Sequence, residues 1–155
     1  MLSAVNLSLG ERRIEAQFVS IICAVWDDAR RTLLLANSGL PRPVFCRNGK
    51  TQMIEATGLP LGLFEEADYD EFTFQAKPGD LFVFFSDGIL DAATKKGELF
   101  GRHRVEEIVA ACAQKPAPYV VDAISKAVAQ FSAVGDAFDD QTVVVLRVKD
   151  ADSAQ

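Results

Sequence analysis

The sequence is short of the residues that carry most side-chain chemistry: it has one histidine, three cysteines and one tryptophan in 155 residues. His103 is the only imidazole and no serine sits in a Gly-x-Ser-x-Gly turn, so a serine or cysteine nucleophile has no base to activate it. His103 itself stands between Arg102 and Arg104 at the start of an amphipathic segment, where a solvated helix face is expected. Cys23, Cys46 and Cys112 are odd in number, far apart and set in apolar surroundings. That excludes a disulfide framework and a zinc cluster, and it fits a reducing cytoplasm. Basic charge is scarce as well, with 16 Lys and Arg against 22 Asp and Glu and a net charge of −6. Such a balance argues against nucleic acid or an anionic membrane as partner, and it repels a phosphorylated substrate unless a cation or a local basic patch intervenes. No apolar run reaches the roughly 18 residues of a membrane span, and no basic-then-apolar leader opens the chain. Repeats, low-complexity blocks and linkers are missing too. With 49% apolar and 25% charged residues, one α+β domain is the expectation.

What is present is organised around Lys77 to Asp91. Lys77-Pro78-Gly79-Asp80 is a turn, Leu81 to Phe85 is an apolar run typical of a strand buried on both faces, and Ser86-Asp87-Gly88 puts a carboxylate where that strand stops. Upstream, Leu2, Val5 and Leu9 have helical spacing in a helix of barely two turns. Ile14 to Trp26 and Thr32 to Ala36 read as strands. Val44 to Arg47 and Thr51 to Ile54 flank Asn48-Gly49, a two-residue hairpin signal. Phe72 and Phe74 alternate with polar residues between Tyr69 and Gln75, as in a half-buried strand. After Asp91 the period becomes helical, around Val105 to Cys112 and again around Val121 to Phe131, with Pro118 near the second helix's first turn. Thr142 to Val148 is a β-branched closing strand.

Asp87 marks the end of one strand and Asp139-Asp140 the start of another. If those strands are antiparallel neighbours, the carboxylates converge at one sheet edge. Two carboxylates about 5 Å apart at an effective dielectric near 20 repel by roughly 3 kcal/mol, so the cluster asks for a cation or a raised pKa. With oxygen donors and no His or Cys beside them, the ion expected is Mg²⁺ or Mn²⁺. Asn48-Gly49-Lys50-Thr51 looks like the tail of a phosphate-binding loop. The glycine needed five residues before Gly49 is Val44, however, and a hairpin turn accounts for these residues.

Taken together, these stretches resemble the metal-dependent (PPM-type) protein serine/threonine phosphatases, in particular their bacterial SpoIIE-like branch of sporulation and stress-response enzymes. Asn37-Ser38-Gly39 through Pro43 is similar to that branch's Asn-Ala-Gly-His-x-Pro loop, and Leu59-Pro60-Leu61-Gly62 to its Pro-Leu-Gly loop. Pro78-Gly79-Asp80 through Asp87-Gly88 is similar to its central strand, and Asp139-Asp140-Gln141-Thr142 to its closing Asp-Asp-x-Thr. The resemblance implies an antiparallel αββα sandwich with a two-metal Mn²⁺ or Mg²⁺ site. In it Asp87 and Asp139 are ligands, Asp140 ranks below Asp139, and Gly88 and Asn37 support. It implies hydrolysis of phosphoserine or phosphothreonine on a protein by a metal-activated water, with no covalent enzyme intermediate. The implied substrate is a phosphorylated anti-sigma-factor antagonist, and the implied companions are an upstream sensor domain or a dimer. Two departures stand out. Leu40 occupies the usual histidine position, and the Asp-Val-x-Gly-His-Gly element whose aspartate bridges both metals has no counterpart here. The expectation is therefore that residues 1–150 are the C-terminal two-thirds of such a domain, with 151–155 a frayed tail. The rival expectation is a non-catalytic phosphatase-like binding module that has lost the bridging ligand.

Overall fold

A computed structural model describes residues 1–12, 18–132 and 140–149. In chain order the elements are α1 (Leu2–Arg12), β1 (Ile21–Asp27), β2 (Thr32–Ser38), β3 (Val44–Arg47), β4 (Lys50–Met53), β5 (Glu71–Gln75), β6 (Leu81–Phe85), α2 (Asp87–Leu90), α3 (Gly101–Ala111), α4 (Ala117–Phe131) and β7 (Val143–Arg147). Contacts divide them into two compact units, one of Met1–Arg42 with Glu55–Ala76, the other of Pro43–Ile54 with Lys77–Gln155. Each unit has one antiparallel sheet.

The first unit carries the order β1-β2-β5, with β2 in the middle because Leu33 and Leu35 give it the least exposed side chains. Helix α1 has three turns rather than two, and of the three residues expected on its inward face Val5 is the exception. Leu2 packs on Ala36 and Leu61, and Leu9 lies partly buried against them, but Val5 is 42% exposed. Asn6, only 2% exposed, takes the inward place, which lies one turn after Leu2. Its side-chain amide donates to the Phe64 and Glu65 carbonyls, while its oxygen accepts from Gly62 N–H and Tyr69 O–H. A buried amide is tolerated there because every one of those bonds is made. The strand expected from Ile14 is shorter than the sequence pattern implies. It begins at Ile21, residues 13–17 lie outside the described residues, and Val19 forms an isolated antiparallel bridge with Leu61.

The second unit has the order β4-β3-β6-β7 with α3 and α4 packed on it. Leu81, Val83 and Phe85 of β6 face a core that also holds Val44, Val105, Val109, Val120, Ile124 and Val128. Phe82 points the other way and is just as buried, its ring 5.1 Å from that of Phe45. The apolar run is thus covered on both faces, as its lack of alternation requires. Asn48 (φ 53°) and Gly49 (φ 76°) make the β3–β4 turn, the left-handed pair a two-residue hairpin needs. His103 is exposed and pairs with Glu107 one turn along α3, at 3.0 Å. The three cysteines are free thiols, and burial pushes the Cys46 thiol up. Among the described residues, no helix is long and apolar enough to cross a membrane.

Candidate functional site

Strands β6 and β7 run antiparallel with Phe85 opposite Val143, so the end of one meets the start of the other. Ser86 then clasps the two chains together. Its N–H donates to Thr142 O at 3.0 Å, its hydroxyl donates to Asp140 O at 2.9 Å, and the same oxygen accepts Thr142 N–H at 2.9 Å. A hydroxyl is suited to this because it donates and accepts at once. Ser86 is also the N-cap of α2, yet it makes no side-chain cap bond, since its oxygen is engaged across the strands. Asp87 opens α2 with its carboxylate exposed and one oxygen accepting the N–H of Gly88 at 3.0 Å. Asp140 is exposed at the same edge, and Asp139 lies outside the described residues. The structure therefore brings Asp87 and Asp140 to one sheet edge through Ser86, to which the sequence pattern assigns no role.

Among the described residues at this edge the donors are oxygens, from carboxylates, the Ser86 hydroxyl and main-chain carbonyls, which suits Mg²⁺ or Mn²⁺ better than zinc. Among the described residues no three His, Cys, Asp or Glu side chains cluster tightly enough to enclose an ion. Asp87 and Asp140 both stand exposed at this edge.

Asn37 has a different task. It is 1% exposed in the first unit, its amide donates to the Leu40 and Ala56 carbonyls at 2.9 Å each, and its oxygen accepts Leu40 N–H at 3.1 Å. Its role is to fix the turn after β2. That turn is laced to the Leu59-Pro60-Leu61-Gly62 loop by Ser38 Oγ donating to Leu59 O and by Gly39 N–H donating to Gly58 O. The two loops meet so closely that a Cβ on Gly58 would run into the Asn37 carbonyl, a main-chain atom that cannot swing away. Gly58→Ala is expected to cost about 1–3 kcal/mol by overpacking. The check is the denaturation midpoint, with Gly10→Ala as comparison: Gly10 has nothing within 4 Å of its would-be Cβ and should lose no stability.

The chain matches the family model described as Stage II sporulation protein E (SpoIIE) over residues 1–149. It is 29% identical over 146 residues to phosphoserine phosphatase RsbU of Bacillus subtilis, an alignment covering 90% of this chain and 42% of RsbU. It is 27% identical over 153 residues to Stage II sporulation protein E of Priestia megaterium, covering 96% of this chain and 25% of that protein. The chain thus spans less than half the length of these relatives. Among solved structures it superposes on the SiaA-PP2C domain of Pseudomonas aeruginosa with a TM-score of 0.83 at 21% identity, covering 96% of this chain and 58% of that one. The phosphatase domain of SpoIIE from Bacillus subtilis gives 0.70 at 20% identity, covering 97% and 66%. The antiparallel sheets and their helices are those of a PP2C phosphatase fold, and the chain belongs to the SpoIIE family.

Proposed function

We propose that this chain is part of a metal-dependent protein phosphatase acting on phosphoserine or phosphothreonine, its substrate a phosphorylated anti-sigma-factor antagonist. The observation that carries the reading is the Ser86 clasp, which gathers Asp87 and Asp140 at the end of the central strand. Asp139 is the sequence neighbour of Asp140. Asp87 and Asp139 are the proposed ligands of Mn²⁺ or Mg²⁺, with Asp140 in a lesser role. A bound divalent ion supplies the positive charge that an acidic protein lacks for a phosphate dianion, and it makes water a usable nucleophile at neutral pH. The chain's own residues supply position. Ser86 holds the edge, and the Gly88 N–H fixes one oxygen of Asp87.

A second reading, a binding module that holds a phosphoprotein without hydrolysing it, is favoured because among the described residues no three His, Cys, Asp or Glu side chains cluster to hold an ion. One experiment separates them. Phosphate release from a phosphoserine peptide is followed with Mn²⁺, with Mg²⁺ and with EDTA, and Mn²⁺ binding is titrated in parallel. Turnover that EDTA abolishes and Mn²⁺ restores is the result expected of the phosphatase. Peptide binding with neither turnover nor Mn²⁺ binding would establish the binding module instead.

A further inference from the structure

Four of the 16 Lys and Arg of this acidic chain fall within thirteen consecutive residues. Residues 92–104, AATKKGELFGRHR, hold four Lys and Arg and one acid, against a net charge of −6 for the whole chain. The structure folds the first half of this stretch into a small hairpin that follows α2. Ala93 bridges Leu99 antiparallel, Thr94 N–H donates to Glu98 O, and Gly97 N–H donates to Thr94 O at 2.9 Å. The last bond closes a four-residue turn with Lys95 and Lys96 as its two central residues. Gly97 follows in the left-handed region (φ 81°), which suits glycine.

The base of this hairpin is firmly held. Phe100 is 2% exposed, its N–H donates to Ala92 O at 2.7 Å, and its ring lies 5.4 Å from that of Phe131. Arg104 reaches back along the strand, donating to the Leu99 and Phe100 carbonyls and to the Glu98 carboxylate. The consequence is electrostatic. Glu98 is the only acid in the stretch, and Arg104 neutralises it at 2.5 Å. Lys95 and Lys96 are exposed and have no ion-pair partner among the described residues. A pinned turn thus displays two ammonium groups on a molecule whose net charge is −6.

We propose that the Ala93–Leu99 hairpin is a docking point for an acidic segment of the partner phosphoprotein, with Lys95 and Lys96 reading carboxylates beside the phosphorylated residue. The proposal rests on the phosphatase reading for the nature of the partner. An acidic protein segment suits the site better than nucleic acid or a lipid surface. Two lysines match a few carboxylates, whereas an extended polyanion would meet the surrounding negative charge.

The test uses fluorescence anisotropy of the chain with two labelled phosphoserine peptides of equal length, one flanked by Asp and Glu, the other by Ser and Gly. At 50 mM NaCl the acidic peptide is expected to bind roughly three- to tenfold more tightly, the scale of two exposed charge pairs. At 300 mM the preference should fade, as screening shortens to about 6 Å. Lys95→Glu with Lys96→Glu, on an exposed turn that tolerates substitution, should abolish or reverse the preference while leaving the melting temperature in place. Equal binding of the two peptides, or a preference the double variant keeps, overturns the proposal. So does tighter binding of duplex DNA or phosphatidylserine vesicles that is lost in the same variant. Hydrolysis of the neutral-flanked peptide, measured alongside, reports on the phosphatase reading separately. If it fails while the preference persists, the reaction is in error and the docking site stands.

Discussion

Replacing Arg47 with Met is expected to lower stability by about 2–4 kcal/mol, because it strands a carboxylate that has almost no access to water. Asp80 is 1% exposed and accepts three bonds, from Arg47 Nε at 2.8 Å, Arg47 Nη2 at 2.6 Å and Lys77 N–H at 2.7 Å. The guanidinium meets it through two nitrogens in the fork geometry that makes Arg–carboxylate pairs strong. Hydrogen bonding to Asp80 raises the Arg47 pKa above its ordinary value, so the guanidinium stays charged. Removing one partner of a fully buried pair costs about 3–5 kcal/mol. The Arg47 side chain is 34% exposed, which lets solvent relieve part of that and sets the lower range. The pair also extends the strand register, since Cys46 lies opposite Leu81 and Arg47 and Asp80 are the next residues out. Adding Asp80→Asn to Arg47→Met removes the stranded charge and keeps an oxygen for Lys77 N–H, so the double variant should recover much of the loss. Urea midpoints at constant m value are the measurement. An Arg47→Met protein as stable as the parent, or a double variant less stable than the single, would show that the pair contributes nothing.

How far the sequence disclosed this architecture depended on whether a residue's reason lay near it in the chain. The β3–β4 hairpin, α4 behind Pro118 and the doubly buried β6 were legible because turn chemistry and apolar runs are local signals. Asn6, Asp80 and Gly58 were not. The first two are explained by residues more than thirty positions away: Asn6 by Gly62 to Tyr69 and Asp80 by Arg47. Gly58 lies nearer to Asn37 in the chain, at about twenty residues, but the close approach that demands glycine is still tertiary. Helix α1 shows the same limit from the other side. Spacing alone favoured Val5 for the inner face, and only the loop's unsatisfied main-chain groups explain why an asparagine belongs there. At the candidate site the strand order placed Asp87 and Asp140 at one sheet edge. The Ser86 clasp that fixes it needed the three-dimensional pairing.

Asp87→Asn should lower metal-dependent phosphoserine hydrolysis on the order of a hundredfold or more, since losing a ligand charge forfeits several kcal/mol of electrostatic stabilisation at the reacting phosphate. Asparagine keeps the size of the side chain and one oxygen able to accept Gly88 N–H, so the local fold has no reason to change. Because Asp87 is exposed, the stability change should stay within about 0.5 kcal/mol. A large loss of function without loss of fold is the signature of a ligand rather than a structural residue. Asp139→Asn should match it, whereas Asp140→Asn should do less, in keeping with its lower rank. Ser86→Ala offers an internal scale: it leaves every carboxylate in place but removes the hydroxyl that joins Asp140 O and Thr142 N–H, so its effect should fall between those of Asp140→Asn and Asp87→Asn. Mn²⁺ affinity, read by titration calorimetry, should follow the same order, and this readout remains available should the chain by itself turn over slowly. An Asp87→Asn protein that binds Mn²⁺ and hydrolyses phosphoserine like the parent would remove the β6–β7 edge from consideration as the metal centre. The reaction would then have to be sought at another group of carboxylates.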